Sequence, residues 1–211
     1  MTVPSLPRAP SATADVDAPE LVRLRDGSLV TLHPTTAADE PALRSFLAGL
    51  CLEARRLRFF SGAVDLSCAA HLAADTSAGR FGLVAHDAMG ALVAHALYIQ
   101  LDRTRAEVAV EVADHLHDRG LGTILIERLG AVAVRHGVTR FVAEVLPENR
   151  AMLDVFRDGF DAHVACRDGV DRVEFPTSTW RTASERFPEQ PRSGCSRRTG
   201  ARSLSPAWLR A

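Results

Sequence analysis

The stretch AEVAVEVADHLHDRGLGTILI, which runs from Ala106 to Ile126, decides the fold. Its first part alternates apolar and polar residues, which predicts a half-buried β-strand. From Thr123 onward the apolar residues recur at helical spacing. The turn between the two patterns contains Gly120 and Gly122. The sequence therefore predicts a strand, a glycine-containing loop and a helix in direct succession.

Elements on both sides extend this unit into a mixed domain. The pairs Asp26-Gly27 and Asp168-Gly169 predict tight hairpin turns near the two ends of the domain. In chain order we expect a hairpin over 22–32, helices over 36–50, 52–60 and 66–72, strands over 81–86, 91–99 and 106–113, a helix over 123–136, a strand over 141–145, a helix over 149–157 and a hairpin over 162–175. Because the three central strands are joined by short turns, an antiparallel meander is the economical topology. The predicted fold class is α/β (α+β), a mostly antiparallel sheet flanked by helices.

Composition divides the chain into one domain and two tails. A chain of 211 residues is long enough for one well-buried core. Residues 1–20 are rich in Pro, Ala, Ser and Thr, and residues 179–211 mix Arg, Ser, Pro and Gly. Such segments cannot bury enough surface to offset the entropy of ordering them. We therefore expect a folded domain over 21–178 between a disordered N-terminal segment and a disordered C-terminal tail.

Composition also argues against several classes of protein. The formal net charge of -1 lacks the basic footprint of a nucleic-acid-binding protein. No apolar run approaches the roughly 20 residues of a membrane span, and the N-terminus lacks the pattern of a signal peptide. We therefore expect a cytoplasmic protein with no membrane or nucleic-acid partner. The four cysteines form no C-x-x-C pair and the histidines are scattered, so no metal site is expected.

The loop over 117–122 is a candidate anion site. Glycines let the backbone approach a ligand closely, and the following helix presents its unpaired N–H groups at the same point. Together these features suit a diphosphate. The spacing differs from a Walker loop, since no Gly-Lys-Ser/Thr follows, and from the dinucleotide fingerprint, which needs a third glycine. From spacing alone, a purely structural role for Gly120 and Gly122 stays open.

Three motifs resemble the GNAT acetyltransferase superfamily, in the family's order. His117-Asp118-Arg119-Gly120-Leu121-Gly122 is similar to the loop that binds the pyrophosphate of acetyl-CoA. The strand Ala106–Val112 looks like the family's fourth strand, and Asn149–Phe160 looks like its closing segment. The resemblance implies the GNAT fold, with a central mixed, mostly antiparallel sheet, and acetyl-CoA as co-substrate.

Three further stretches resemble the Pat-type protein lysine acetyltransferases, whose known targets include acyl-CoA synthetases. They are Asp26-Gly27-Ser28, Leu57-Arg58-Phe59-Phe60-Ser61 and Phe141-Val142-Ala143-Glu144-Val145-Leu146. The resemblance extends over about 22–175. Pat-type relatives often carry a second, regulatory domain, for which this chain has no room, so we expect no regulation by such a domain in cis.

The resemblance also implies roles for individual residues. A lysine ammonium has a pKa near 10.4, so exposing its lone pair at neutral pH costs about 4–5 kcal/mol. Glu107 aligns with the family's general base, and strand alternation puts Glu111, the reserve candidate, on the same face. The family's strand splays from its neighbour beyond this point, which would free backbone groups for the pantetheine arm. The residues expected to bind acetyl-CoA are Val110, Glu111, Val112, His117, Asp118, Arg119, Gly120, Leu121, Gly122, Thr123 and Asn149.

Three positions depart from the family's pattern. His117 stands where Gln or Arg is usual, and Asp118 brings a carboxylate beside the expected phosphates. Phe156 occupies the position where many GNAT enzymes carry a tyrosine acid, and the only tyrosine is Tyr98. The leaving thiolate would then take its proton from water, His117 or another group.

Three functions follow from these features. The first is acetylation of an exposed lysine on a protein partner, by a monomer or homodimer. The second is acetylation of a small-molecule amine, which the same core performs throughout the superfamily. The third, suggested by the departures at 117, 118 and 156, is an acyl-CoA-binding sensor without turnover.

Overall fold

An eight-stranded sheet with helices on both faces organises residues 18–178, the part of the chain that the computed structural model describes. The strands lie in the order β1-β2-β3-β4-β5-β6-β8-β7. The elements are β1 (Glu20–Arg23), β2 (Leu29–Pro34), α1 (Glu40–Gly49), α2 (Leu52–Phe59), α3 (Leu66–Ala74), β3 (Arg80–His86), β4 (Leu92–Gln100), β5 (Arg105–Val112), α4 (Leu121–Arg135), β6 (Arg140–Val145), α5 (Arg150–Phe160), β7 (His163–Arg167) and β8 (Val170–Pro176). This architecture confirms the predicted fold class and the predicted order of elements.

Several helix boundaries differ from the prediction by a few residues: α1 begins at Glu40 instead of residue 36, and α3 runs to Ala74 instead of residue 72. Two further differences lie at the helices that follow the loop over 117–122 and β6. Helix α4 begins at Leu121, because Gly120 takes the left-handed conformation (φ 85°) and forms its N-cap. Helix α5 continues to Phe160 and ends where Asp161 becomes left-handed (φ 52°). Gly159 is buried and faces α4, so tertiary packing carries α5 through a glycine that reads as a helix breaker.

The first strand begins at the edge of the described part of the chain. Glu20 opens β1 and is held by a bidentate ion pair with Arg128 of α4, at 2.6 and 2.7 Å. The sequence predicts disorder for residues 1–20 and 179–211. Residues 1–17 and 179–211 lie outside the described residues, whereas Glu20 belongs to β1. Within 18–178 no helix is long and apolar enough to cross a bilayer.

The sheet consists of two antiparallel parts joined by one short parallel pairing. Strand β5 pairs with β4 along its length, from Ala106 to Val112, and β6 pairs with β8 along its length. Strands β5 and β6 pair only at Arg105–Arg140, Ala106–Phe141 and Glu107–Val142. Beyond Glu107 the two strands separate, and the sheet opens into a cleft.

Each face of the sheet carries its own hydrophobic core. The larger core packs α4 and α5 against one face and includes Val108, Val110, Phe141 and Ala143. The smaller core packs α1, α2 and α3 against the other face. Because side chains alternate along a strand, Glu107, Ala109 and Glu111 lie on the second face, beside α2.

An aromatic cluster around Phe175 anchors α5 to β6 and β8. The Phe175 ring centroid lies 5.7 Å from that of Phe141, 5.1 Å from that of Phe156 and 5.3 Å from that of Phe160. All four side chains are almost fully buried. The cluster therefore holds in place the helix that closes one side of the cleft.

We expect Phe175→Ala to lower the free energy of unfolding by about 3–5 kcal/mol, since it leaves a cavity at the centre of this cluster. Met89→Ala is the control, because Met89 is 90% exposed, and we expect it to change stability by less than about 0.5 kcal/mol. Urea unfolding followed by circular dichroism measures both. A loss below about 1 kcal/mol for Phe175→Ala would contradict the packing described here.

Candidate active site

A cavity of about 380 Å³ fills the gap between the separated strands. Its walls are the second half of β5, the end of β6, the loop before α4, the first turn of α4, one side of α5 and the C-terminal half of α2. The cavity reaches both faces of the sheet, because it is lined by Leu57 and Arg58 on the α2 side and by Met152 and Phe156 on the α5 side. Two ligands approaching from opposite faces could therefore meet inside it.

The N-terminus of α4 forms one end of the cavity. Leu121, Gly122 and Thr123 make up the first turn and line the cavity. The N–H groups of a helix's first turn have no partner within the helix, and the helix dipole is positive there. A Cβ added to Gly122 would meet nothing within 4 Å, so the missing side chain leaves space at the helix end. This end of the cavity suits an anion.

The hairpin between β1 and β2 packs against this loop and adds a cation. The Arg119 side chain forms an ion pair with Asp26 in the hairpin turn, and the Arg119 carbonyl accepts a bond from the Arg25 N–H at 3.1 Å. The Arg25 side chain lines the cavity, and its Nε lies 3.1 Å from where a Cβ on Gly120 would stand. Arg119 does not line the cavity. Sequence analysis missed Arg25, because only the docking of the hairpin onto the loop reveals its position.

The free edge of β5 presents backbone groups to the cavity. The Ala113 N–H donates to the Val93 carbonyl of β4 at 2.8 Å. Hydrogen-bonded and non-hydrogen-bonded positions alternate along an antiparallel pair, so Glu111 also bonds to β4. Val110 and Val112 therefore direct their backbone N–H and C=O groups toward the gap. Of the predicted trio over 110–112, the backbone of Glu111 points the other way.

His117 contacts the end of this edge. Its Nε2 lies 3.0 Å from the Val112 carbonyl oxygen. Because a carbonyl only accepts, Nε2 is the nitrogen that carries the proton in this bond. His117 thus engages the Val112 carbonyl and leaves the Val112 N–H facing the gap. Asp118 beside it has a left-handed backbone (φ 60°), which aspartate tolerates better than most residues, and it lines the cavity.

Glu107 lies at the closed end of the cleft. It belongs to the last residue pair between β5 and β6, opposite Val142. Only 7% of the residue is exposed, and it lines the cavity. Its side chain is on the α2 face, as the alternation of β5 requires. The predicted base therefore lies where the strands begin to separate.

Glu111, on the same face, is held in a buried ion network. Its Oε2 accepts a bond from Arg58 Nε at 2.5 Å, and its Oε1 lies 2.8 Å from His95 Nδ1. The side chains of Arg58 and Glu111 are 6% and 5% exposed. Burial raises the pKa of Glu111, but Arg58 and His95 outweigh it and hold the pKa at about 2. The network fastens α2 to β5 and leaves Glu111 weakly basic.

The remaining predicted residues lie on α5. Asn149 Oδ1 accepts the Met152 N–H at 3.3 Å, so this side chain caps the helix while lining the cavity. Phe156 also lines the cavity. Tyr98 is buried elsewhere, with its hydroxyl 2.6 Å from His136 Nδ1, and burial raises its pKa to about 12. Tyr98, the only tyrosine of the sequence, does not line the cavity.

The structure thus brings most of the predicted residues to one cavity. Those that line it are Glu107, Val110, Glu111, Val112, His117, Asp118, Gly120, Leu121, Gly122, Thr123 and Asn149. Besides Arg25, sequence analysis missed a role for Glu144 of β6, which also lines the cavity. The only sign of this role in the sequence was a glutamate in an otherwise apolar stretch of β6. Among residues 18–178 no three His, Cys, Asp or Glu side chains form a group that could hold a metal ion.

Comparison with known proteins points to one family. The sequence model of the Acetyltransferase (GNAT) family matches residues 52–160. The structure is similar to the GNAT domain of S. lividans Pat, with a TM-score of 0.69 and 33% identity, covering 75% of this chain and 96% of that one. It is also similar to a cAMP-binding acyltransferase from Mycobacterium smegmatis, with a TM-score of 0.54 and 27% identity, covering 82% of this chain and 50% of that one. A spermidine N-acetyltransferase from Vibrio cholerae, solved with CoA and spermine, shares the fold at 15% identity and a TM-score of 0.58, covering 71% of this chain and 96% of that one.

The buried Glu111 network makes a specific prediction for stability in acid. The pKa of Glu111 in the folded chain, about 2, lies below its ordinary value of 4.5. A depressed folded-state pKa stabilises the folded chain above the ordinary pKa, and this contribution is lost as the pH falls from 4.5 toward 2. This contribution of Glu111 to the free energy of unfolding is on the order of 3 kcal/mol. We therefore expect Glu111→Gln to be less stable than wild type near neutral pH and to lose less further stability on acidification.

Urea unfolding over this pH range measures the effect as a difference in slope between variant and wild type. Glu53→Gln is the matched control. Arg56 also lowers the pKa of Glu53, but this pair lies on the exposed side of α2, where an ion pair contributes little, so the slope should stay close to that of wild type. Equal slopes for Glu111→Gln and wild type would contradict the ion network.

Proposed function

Because the chain belongs to the GNAT acetyltransferase family, whose members use acetyl-CoA, we propose that it transfers the acetyl group to the side-chain amine of a lysine on another protein. The observation that carries the transfer reaction is the opening of the sheet beside Glu107, in a cavity that the first turn of α4 also lines. The choice of a protein lysine rests on the similarity to the GNAT domain of Pat along nearly that domain's whole length. Acyl-CoA synthetases are the proposed class of target, by the resemblance to Pat-type enzymes.

The cleft offers groups that suit two parts of acetyl-CoA, the pyrophosphate and the pantetheine arm. The N–H groups of Leu121, Gly122 and Thr123, together with the Arg25 guanidinium, supply donors for a pyrophosphate. The Val110 carbonyl and the Val112 N–H would pair with the amides of the pantetheine arm. The remaining predicted contacts are more modest. Glu111 would support the strand edge through Arg58, Asn149 would offer its amide nitrogen, and His117, Asp118, Arg119 and Gly120 would shape the loop.

The chain's own groups divide the work of the transfer. The Val110 N–H, which faces the gap on the side nearer Glu107, would polarise the thioester carbonyl, a task for which a fixed, oriented dipole is well suited. Glu107 would accept the proton of the incoming ammonium, directly or through a water molecule. Glu111 is a poor second choice as base, because its pKa of about 2 makes it far less basic than an ordinary carboxylate. Phe156 cannot protonate the departing thiolate, so we assign this protonation to water.

Glu107→Gln tests the reaction and the base together. We expect a purified acyl-CoA synthetase incubated with acetyl-CoA and the wild-type protein to gain acetyl groups on lysine, detected by mass spectrometry. The substitution should lower the rate by about 10²–10⁴-fold without weakening CoA binding, and Glu53→Gln, on the exposed side of α2, should match wild type. This chain contains no lysine, so every acetyl-lysine detected belongs to the target.

Other outcomes of this experiment separate the alternatives. Wild-type activity in Glu107→Gln would overturn the assignment of the base. Acetylation confined to small amines added to the same reaction would favour a small-molecule acetyltransferase. Binding of CoA without transfer to any acceptor would favour the sensor.

Gly122→Val tests the anion site. The added side chain would project into the open space at the helix end, where we propose that the pyrophosphate binds, so we expect CoA affinity to fall about tenfold or more. Gly49→Val is the matched control, because Gly49 also has open space around its Cβ position and lies at the end of α1. Calorimetric titration with CoA measures both variants. Equal affinity for CoA in Gly122→Val and wild type would contradict the proposed site.

A further inference from the structure

A second carboxylate lies across the cleft from the proposed base. On β6, Phe141 and Ala143 belong to the core beneath α4 and α5, so Glu144 lies on the opposite face, beside α2. Glu107 lies on that same face of β5. The two carboxylates therefore flank the cleft on the side opposite α5, from different strands.

The register of the strands indicates how they are arranged. The last pair is Glu107–Val142. Two residues further on, β6 reaches Glu144 while β5 reaches Ala109, whose side chain is small. Both residues line the cavity. The space in front of Glu144 is thus open, with Glu107 diagonally across it.

One oxygen of Glu144 has no partner. Its Oε2 is buried and accepts no hydrogen bond from any residue over 18–178. A buried polar atom without a hydrogen bond is costly and uncommon in folded proteins. Glu111 on the same face differs, since Arg58 and His95 engage both of its oxygens. Arg58 compensates the charge of Glu111 within the chain, whereas this oxygen of Glu144, a residue that lines the cavity, has no donor within residues 18–178.

We propose that Glu144 binds the acceptor as its ammonium ion at the α2 side of the cleft and so selects cationic amines. This inference rests on the proposed function and extends it to the acceptor. The ammonium N–H donates to the Glu144 carboxylate, and a second ammonium proton passes to Glu107 as the nitrogen lone pair becomes available. Glu144 keeps its charge throughout, and Glu107 is the group that gains the proton. The acceptor thus enters from the face opposite the one that carries the anion site.

n-Butylammonium, which copies the end of a lysine side chain, is a direct probe. We expect it to shift amide signals around the cleft in an NMR titration of the ¹⁵N-labelled protein saturated with CoA. Glu144→Gln should weaken its binding about tenfold or more, because the variant loses a charged hydrogen-bond acceptor. 1-Butanol, of the same shape without the charge, should bind wild type and variant equally. Glu144→Asp, which keeps the charge, should recover part of the affinity.

Glu148→Gln is the matched control, because it makes the same chemical change four residues further along at an exposed position and should bind n-butylammonium as wild type does. Thermal unfolding and CoA affinity, both unchanged in Glu144→Gln, would show that the cleft is intact. Equal affinity of wild type and Glu144→Gln for n-butylammonium, or no binding to wild type, would overturn the proposal. The titration needs no turnover. If n-butylammonium binding depends on Glu144 but wild type transfers no acetyl group, the proposed reaction alone is refuted. If wild type transfers the acetyl group but binding does not depend on Glu144, this inference alone is refuted.

Discussion

The short parallel pairing of β5 with β6 is the constraint on which the site depends. Each strand is fixed along its whole length to an antiparallel neighbour, β5 to β4 and β6 to β8. The two parts of the sheet meet only as far as Glu107 and Val142. Beyond that pair the backbone edge of β5 has no strand partner within residues 18–178, an arrangement that a buried sheet tolerates only where another group can supply the hydrogen bonds. The cleft is therefore a direct result of how the sheet is assembled.

Charge is distributed unequally along this cleft. The first turn of α4 and Arg25 make one end attractive to an anion, while Glu107 and Glu144 make the α2 side attractive to a cation. Glu111 would add to the negative side, but Arg58 pairs with it, and this ion pair holds α2 against β5. The division matches the chemistry of the family, in which a polyanionic acyl carrier meets an amine that is protonated at neutral pH. The aromatic cluster around Phe175 keeps α5, which forms another wall of the cleft, in position.

Local patterns in the sequence were sufficient to predict most of the secondary structure and its order. Alternation in β5, the Asp-Gly hairpin turns and the helical spacing after Thr123 predicted the elements and their order. Gly120 marked the loop correctly, although its left-handed conformation starts α4 two residues earlier than the apolar spacing suggested. Contacts between distant segments were not predictable in the same way. Arg25 reaches the loop only because the hairpin docks on Arg119, and the balance of charge at Glu111 depends on residues from α2 and β4.

Hydrogen–deuterium exchange of the wild-type protein with and without CoA tests the central claim most directly. If the open strand edge and the start of α4 bind CoA, exchange should slow at the amides of Val110, Val112, Leu121, Gly122 and Thr123, while the outer strands β1 and β7 keep their rates. Unchanged exchange at those amides in saturating CoA, or protection confined to another part of the chain, would contradict the account.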